Sequence, residues 1–210
     1  MKTLDWYFDF LSPFAYLSLG RVEQLSATVA IRYRPVLFAG LLQHWGNKGP
    51  AELAPKRLWT YRWCTWKAKR DGITFRFPSA HPFNPLPYLR LSIAAGNTPA
   101  VVRAIFDALW TTGVDPADEG RQIRLAKAIG IDPDLAGSQA VKDTLRLTTA
   151  EAAALGVFGV PTLAVDGELF WGVDGMDFAQ AFLADPELLA GQEMRRVSDL
   201  PIGVMRNLQG

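Results

Sequence analysis

Ser12 stands in the run Asp9-Phe10-Leu11-Ser12-Pro13-Phe14-Ala15-Tyr16, where an aromatic, alternating segment passes directly into apolar residues at helical spacing. A serine followed by proline has the composition of a helix N-cap and first helical residue. The same position puts a hydroxyl beside the unpaired N–H groups and the positive dipole end of a helix, where an anion is stabilised. As a nucleophile Ser12 would need an activating base. The chain has two imidazoles, His44 and His81, and sequence spacing does not bring either one next to Ser12. The single cysteine, Cys64, excludes an internal disulfide and a Cys-x-x-Cys redox pair, and reads as a small buried residue. No His, Cys or Asp cluster with ligand spacing surrounds it, so no metal is expected.

The elements that must position Ser12 follow from periodicity. Residues 4–10 alternate as a strand, and Phe14, Leu17, Val22 and Leu25 continue as a helix. "VAIRYRPV" at 29–36 is a second strand, ended by Pro35. From Phe38 the punctuation turns helical. A helix opens near Pro55 and closes at Gly72, with Trp59, Trp63, Trp66 and Arg70 on one face, a stripe expected to form a seam with the rest of the protein. Further helices are expected over 99–110, 121–129 and 135–155, making four or five in this block, while "HPFNPLP" at 81–87 is too rich in proline for a regular element. Strand character returns at 160–165 and 168–172 around the turn Asp166-Gly167, and 177–183 closes with a helix. The tail from Gln192 carries no pattern. The order β-α-β, helical block, β-hairpin-α is the thioredoxin arrangement. The expected class is therefore α/β, a thioredoxin-like domain formed by residues 1–37 and 157–210, with a large inserted all-helical domain at 38–156.

With 22 basic and 21 acidic residues among 210, the net charge of +1 creates no field that would favour nucleic acid or an anionic membrane surface. A small-molecule partner is the alternative. The first nine residues lack a leader's apolar core, and no stretch approaches the roughly 18 apolar residues of a membrane span, so a cytoplasmic protein is expected. Seven tryptophans exceed the needs of a minimal core and suit a ring-lined pocket.

"FDFLSPFAYL", "GNKGP" at 46–50, "FRFPSAHPFNPLP" at 75–87 and "GVFGVPTLAVDGELFWGVDGMDF" at 156–178 together resemble the 2-hydroxychromene-2-carboxylate isomerases. These are relatives of kappa-class glutathione transferases within the DsbA-like thioredoxin superfamily. The resemblance runs from Leu4 to about Leu183. It implies a cytoplasmic, dimeric enzyme of naphthalene-type aromatic catabolism with glutathione as covalent cofactor. The thiol adds to the chromene, the ring opens, a bond rotates, and elimination returns glutathione and trans-o-hydroxybenzylidenepyruvate. A kappa-like glutathione transferase and a non-catalytic peptide-binding thioredoxin-like protein are the alternatives.

Residue by residue, Ser12 matches the catalytic serine, where redox relatives have their first cysteine, and Ala15 falls where they have the second. Without those thiols the site cannot exchange disulfides. Lowering a thiol pKa by about 2 units takes roughly 2.7 kcal/mol. A helix N-terminus contributes about 0.3–1 kcal/mol. A hydroxyl donating to the thiolate adds roughly 1.5–3 kcal/mol, so Ser12 reads as a thiolate-stabilising donor. Val160 and Pro161 match the cis-proline loop, whose backbone pairs with the cysteinyl part of glutathione. Asp174 matches the acid that receives the γ-glutamyl amino group, approached past Trp171, Gly172 and Val173, and Gly175 stands where relatives often carry arginine. On the substrate side the resemblance points to Lys48, with Asn47 and Asn84 as amide donors and Tyr88 as a phenol.

Overall fold

The computed structural model describes residues 2–204. Strand β1 (Thr3–Phe8) runs into α1 (Pro13–Leu25) and then β2 (Ala30–Pro35). There follow α2 (Phe38–His44), α3 (Ala54–Arg70), α4 (Leu86–Ala94), α5 (Pro99–Trp110), α6 (Glu119–Ala128) and α7 (Gln139–Ala154), with short 3₁₀ turns at Pro50–Glu52 and Pro133–Gly137. The hairpin β3 (Thr162–Val165) and β4 (Glu168–Trp171) leads to α8 (Gly175–Ala184), and α9 (Gln192–Ser198) comes last. The strands form one sheet in the order β2-β1-β3-β4, parallel between β1 and β2 and antiparallel elsewhere. This is the thioredoxin arrangement with a helical insertion between β2 and β3. The described residues divide into two compact units, one up to Met176 and one from Asp177.

Central β1 is covered on both faces over its second half, where Trp6, Tyr7 and Phe8 are all buried and apolar. Trp6 and Phe8 stack at 4.6 Å on one face and meet Phe106 of α5, which also packs on Phe10 at 4.7 Å. Tyr7 points to the other face, among Val36, Leu41, Ala152, Val157 and Val160. Each fully buried ring of this kind contributes about 1.5–3 kcal/mol relative to exposure. That places the rigid centre directly under the β1–α1 junction.

The insertion holds six helices among the described residues, more than the four or five expected. Helix α2 is seven residues long and its N-cap position is Leu37, so it carries no side-chain start signal. Helix α4 begins at Leu86, inside the proline-rich run, because Pro87 falls in the first turn, where a missing N–H costs nothing. The segment 135–155 is divided: Asp132 caps the 3₁₀ turn, and Ser138 caps α7 by accepting from the Val141 N–H. The tryptophan stripe is not the seam. On α3 the buried residues are Thr60, Cys64 and Ala68, while Trp59 is 61% and Trp66 53% exposed. Small side chains let α3 lie close to Leu17 of α1, and the half-buried Trp63 closes the flank against Phe14.

Candidate active site

Ser12 does cap α1. Its Oγ accepts the Ala15 N–H at 3.2 Å, its backbone is extended, and Pro13 occupies the first helical position. The same Oγ donates to the Val160 carbonyl at 3.4 Å, a long and therefore weak bond. Ser12 is buried and lines a cavity of about 530 Å³.

Across from it lies the loop before β3. The Val160–Pro161 peptide is cis, and the Pro161 carbonyl accepts the Gly172 N–H at 2.8 Å, which ties this loop to the turn after β4. Gly172 takes φ +82, a left-handed conformation that glycine adopts without strain. The indole of Trp171 comes up against Gly159, where a Cβ would come within 2.5 Å of its nitrogen, and it packs on Phe158 at 5.1 Å.

The opposite wall comes from the α2–α3 connection. Asn47 and Lys48 follow the end of α2, and the Gly49 N–H donates to the Glu52 carboxylate at 2.5 Å, which fixes the loop that carries the lysine. Lys56, in the first turn of α3, lines the same cavity. Neither ammonium has a carboxylate partner among the described residues. Phe14, Phe38, Leu42, Phe158 and Trp171 make the walls largely apolar. The lining combines apolar aromatic side chains with two lysines and a hydroxyl at a helix N-terminus, a composition suited to a flat, acidic ligand.

Of the residues singled out from sequence, Ser12, Asn47, Lys48, Val160 and Trp171 line this one cavity, with Pro161 and Gly172 bonded behind it. Val173 is buried and Asp174 exposed on the turn into α8, outside the lining. Gly175 has no room for any side chain, since a Cβ would meet the Phe170 carbonyl carbon at 2.8 Å. Asn84 is exposed and accepts the Leu86 N–H, the role of a turn former. Tyr88 is buried elsewhere: its phenol donates to the Pro116 carbonyl at 2.7 Å and it lines a separate cavity with Leu125 and Arg121. Cys64 is fully buried, and burial pushes its thiol up to about 12.

With this geometry, the comparisons with known proteins agree. The model of the DsbA-like thioredoxin domain matches residues 3–184. A 2-hydroxychromene-2-carboxylate isomerase from Sphingobium xenophagum is 31% identical, covering 88% of this chain and 99% of its own. The chain belongs to this isomerase family. A solved structure of a 2-hydroxychromene-2-carboxylate isomerase superposes with a TM-score of 0.76 at 26% identity, covering 95% of this chain and 100% of that one. A kappa glutathione S-transferase from Caenorhabditis elegans is 24% identical over 88% of this chain and 93% of its own.

Asp9 received no role from the sequence, which also left His81 unplaced relative to Ser12. Asp9 is fully buried, and its two carboxylate oxygens accept the Leu11 N–H at 3.0 Å and the Phe38 N–H at 2.9 Å. It thereby supplies α2 with the cap that Leu37 cannot give. Burial pushes its carboxyl up to about 7, and the two N–H groups oppose that rise only in part. An acid closing an apolar strand was the available signal. His81 lines the cavity, and its Nε2 lies 2.9 Å from the Leu11 carbonyl.

Proposed function

We propose that the protein is a glutathione-dependent isomerase converting 2-hydroxychromene-2-carboxylate to trans-o-hydroxybenzylidenepyruvate. One observation carries the reading: a serine at a helix N-terminus, whose O–H donates only over a long bond to the Val160 carbonyl, lines the same cavity as Lys48. The fold and the family are those of the isomerases, which supports the reaction class.

The residues fit glutathione. Among the described residues the Val160 N–H has no partner, so the backbone beside the cis-proline offers a donor for a peptide-like ligand. Asp174, exposed beyond Val173, is proposed for the γ-glutamyl amino group. When bound, glutathione supplies a thiol that adds reversibly to the substrate. Ser12 turns its hydroxyl from the Val160 carbonyl to the sulfur and favours the thiolate. Lys48 pairs with the substrate carboxylate or the oxyanion of the opening ring, and Asn47 donates beside it.

We place the enzyme in the cytoplasm, as a homodimer, in the breakdown of naphthalene-type aromatics. Among the described residues no helix is long and apolar enough to cross a membrane. The kappa-class relatives favour a second reading, a transferase that releases the thioether. Incubation with glutathione and the chromene carboxylate separates the two. Isomer formed with glutathione undiminished supports the isomerase, stoichiometric loss of glutathione supports the transferase, and absence of glutathione binding by calorimetry removes both.

A further inference from the structure

Leu11, the residue before Ser12, is held from both sides. Its N–H donates to the Asp9 carboxyl at 3.0 Å, and its carbonyl lies 2.9 Å from His81 Nε2. The other ring nitrogen of His81 lies 2.8 Å from the Tyr61 phenol oxygen, and that oxygen is 2.6 Å from the His81 carbonyl. These three contacts each need one hydrogen. A neutral imidazole and a phenol supply two between them, so one contact is left with two facing acceptors. An imidazolium and a phenol supply three, and every contact is filled: Nε2–H to Leu11, Nδ1–H to Tyr61, and the phenol O–H to the His81 carbonyl.

Burial opposes this charge and pulls the His81 pKa below its ordinary value. The rings around it, Phe77, Phe83 and Trp110, carry none. On α3 it faces the Tyr61 phenol, itself under the influence of Arg57 and held above its usual range by burial. Lys48 and Lys56 line the same cavity and disfavour a third cation, while Glu52 is engaged by the Gly49 N–H. Asp9 acts on the far side of Leu11. Hydrogen count and desolvation thus pull in opposite directions, and an added negative charge in the cavity decides between them.

We infer that His81 is a positioning residue: the thiolate stabilised by Ser12 draws a proton from solvent onto His81, and the imidazolium then ties the Leu11 carbonyl behind Ser12 to the Tyr61 phenol of α3 through both ring N–H groups. This rests on the glutathione reading. Linkage makes the effect reciprocal, so the protonated ring lowers the pKa of the bound thiol by the same amount that the thiolate raises the pKa of the ring.

The test is an NMR titration of the imidazole carbons. The chain has two histidines, and His44→Gln on the exposed side of α2 assigns the signals. Three samples are compared: free protein, protein with glutathione, and protein with S-methylglutathione, which has no ionisable thiol. Binding of both ligands is checked by calorimetry. The expected result is a rise of about one pH unit in the His81 pKa with glutathione and none with S-methylglutathione. In Tyr61→Phe, which removes the hydrogen-count argument for the imidazolium, the glutathione-bound value falls back. Bound glutathione with an unmoved His81, or an equal rise with S-methylglutathione, overturns the inference and leaves the isomerase reading standing. Absence of glutathione binding overturns both.

Discussion

The Ser12 hydroxyl and the Val160 carbonyl lie 3.4 Å apart across 148 residues of chain. The sheet order makes this meeting unavoidable, because β1 and β3 are neighbours and the loop before β3 opens at the end where β1 turns into α1. At that length the bond is weak enough to be exchanged for a better acceptor. The hydroxyl is thus both structural and available.

The two roles of Ser12 separate by substitution. Ser12→Ala loses the cap, at about 1 kcal/mol, as well as the donor, whereas glycine at an N-cap costs only a few tenths of a kcal/mol. Ser12→Gly is therefore expected to unfold near the parent temperature. Both variants lose about 10- to 100-fold in kcat/KM, from the roughly 1.5–3 kcal/mol of a hydrogen bond to a charged group. Calorimetric melting and steady-state kinetics on the same samples check this.

Lys48→Met removes one of two unpartnered ammonium groups in the cavity. The KM for the carboxylate substrate should rise about tenfold, equivalent to about 1.4 kcal/mol, with the glutathione KM nearly unchanged. A shift in the glutathione KM alone would move Lys48 to the cofactor side.

Asp9 gives stability a pH dependence of defined sign. Its carboxyl rises from 3.8 to about 7 on folding, so the folded state holds the proton more tightly. Its contribution is complete below the ordinary carboxylate range and is lost as pH rises through about 7. The slope is at most about 1.4 kcal/mol per pH unit between those limits. In Asp9→Asn that slope disappears, and below the ordinary carboxylate range stability is lower than in the parent, since one amide oxygen must serve two N–H donors. Urea unfolding across a pH series reads both effects.

With its thiol at about 12, Cys64 is thiolate in about one molecule in ten thousand at pH 8. Iodoacetamide should leave the native protein unlabelled and modify it fully in denaturing urea. Mass spectrometry distinguishes the two.

Gly175→Ala brings a Cβ within 2.8 Å of the Phe170 carbonyl carbon, which is backbone and yields little. The expected cost is about 1–3 kcal/mol, seen as a lowered melting temperature.

Elements with a start signal were legible in the sequence: Ser12-Pro13, Thr98-Pro99 and the Asp166-Gly167 turn all announce themselves locally, and the structure uses each as a cap or hairpin. Helix α2 was not legible because its cap is Asp9, 28 positions before Leu37, and tertiary capping leaves no local trace. Lys48 and Val160 emerged through motif resemblance, and the cavity brings them together with Ser12. Lys56 has no local signal of a site, and its first-turn position on α3 carries it to the cavity wall. Periodicity describes the face of a helix and is blind to what lies beyond its end. Tyr88 shows the opposite error: a phenol near a promising motif found its acceptor in a backbone carbonyl of another loop.

The bridge that Asp9 makes between Leu11 and Phe38 has a further consequence. One carboxyl gauges the gap between the serine side of the cleft and the helix that leads to Lys48. Both sides are referenced to the end of β1, so the aperture is calibrated at the sheet. Substitutions in the outer helices that spare Asp9 are expected to leave that aperture unchanged.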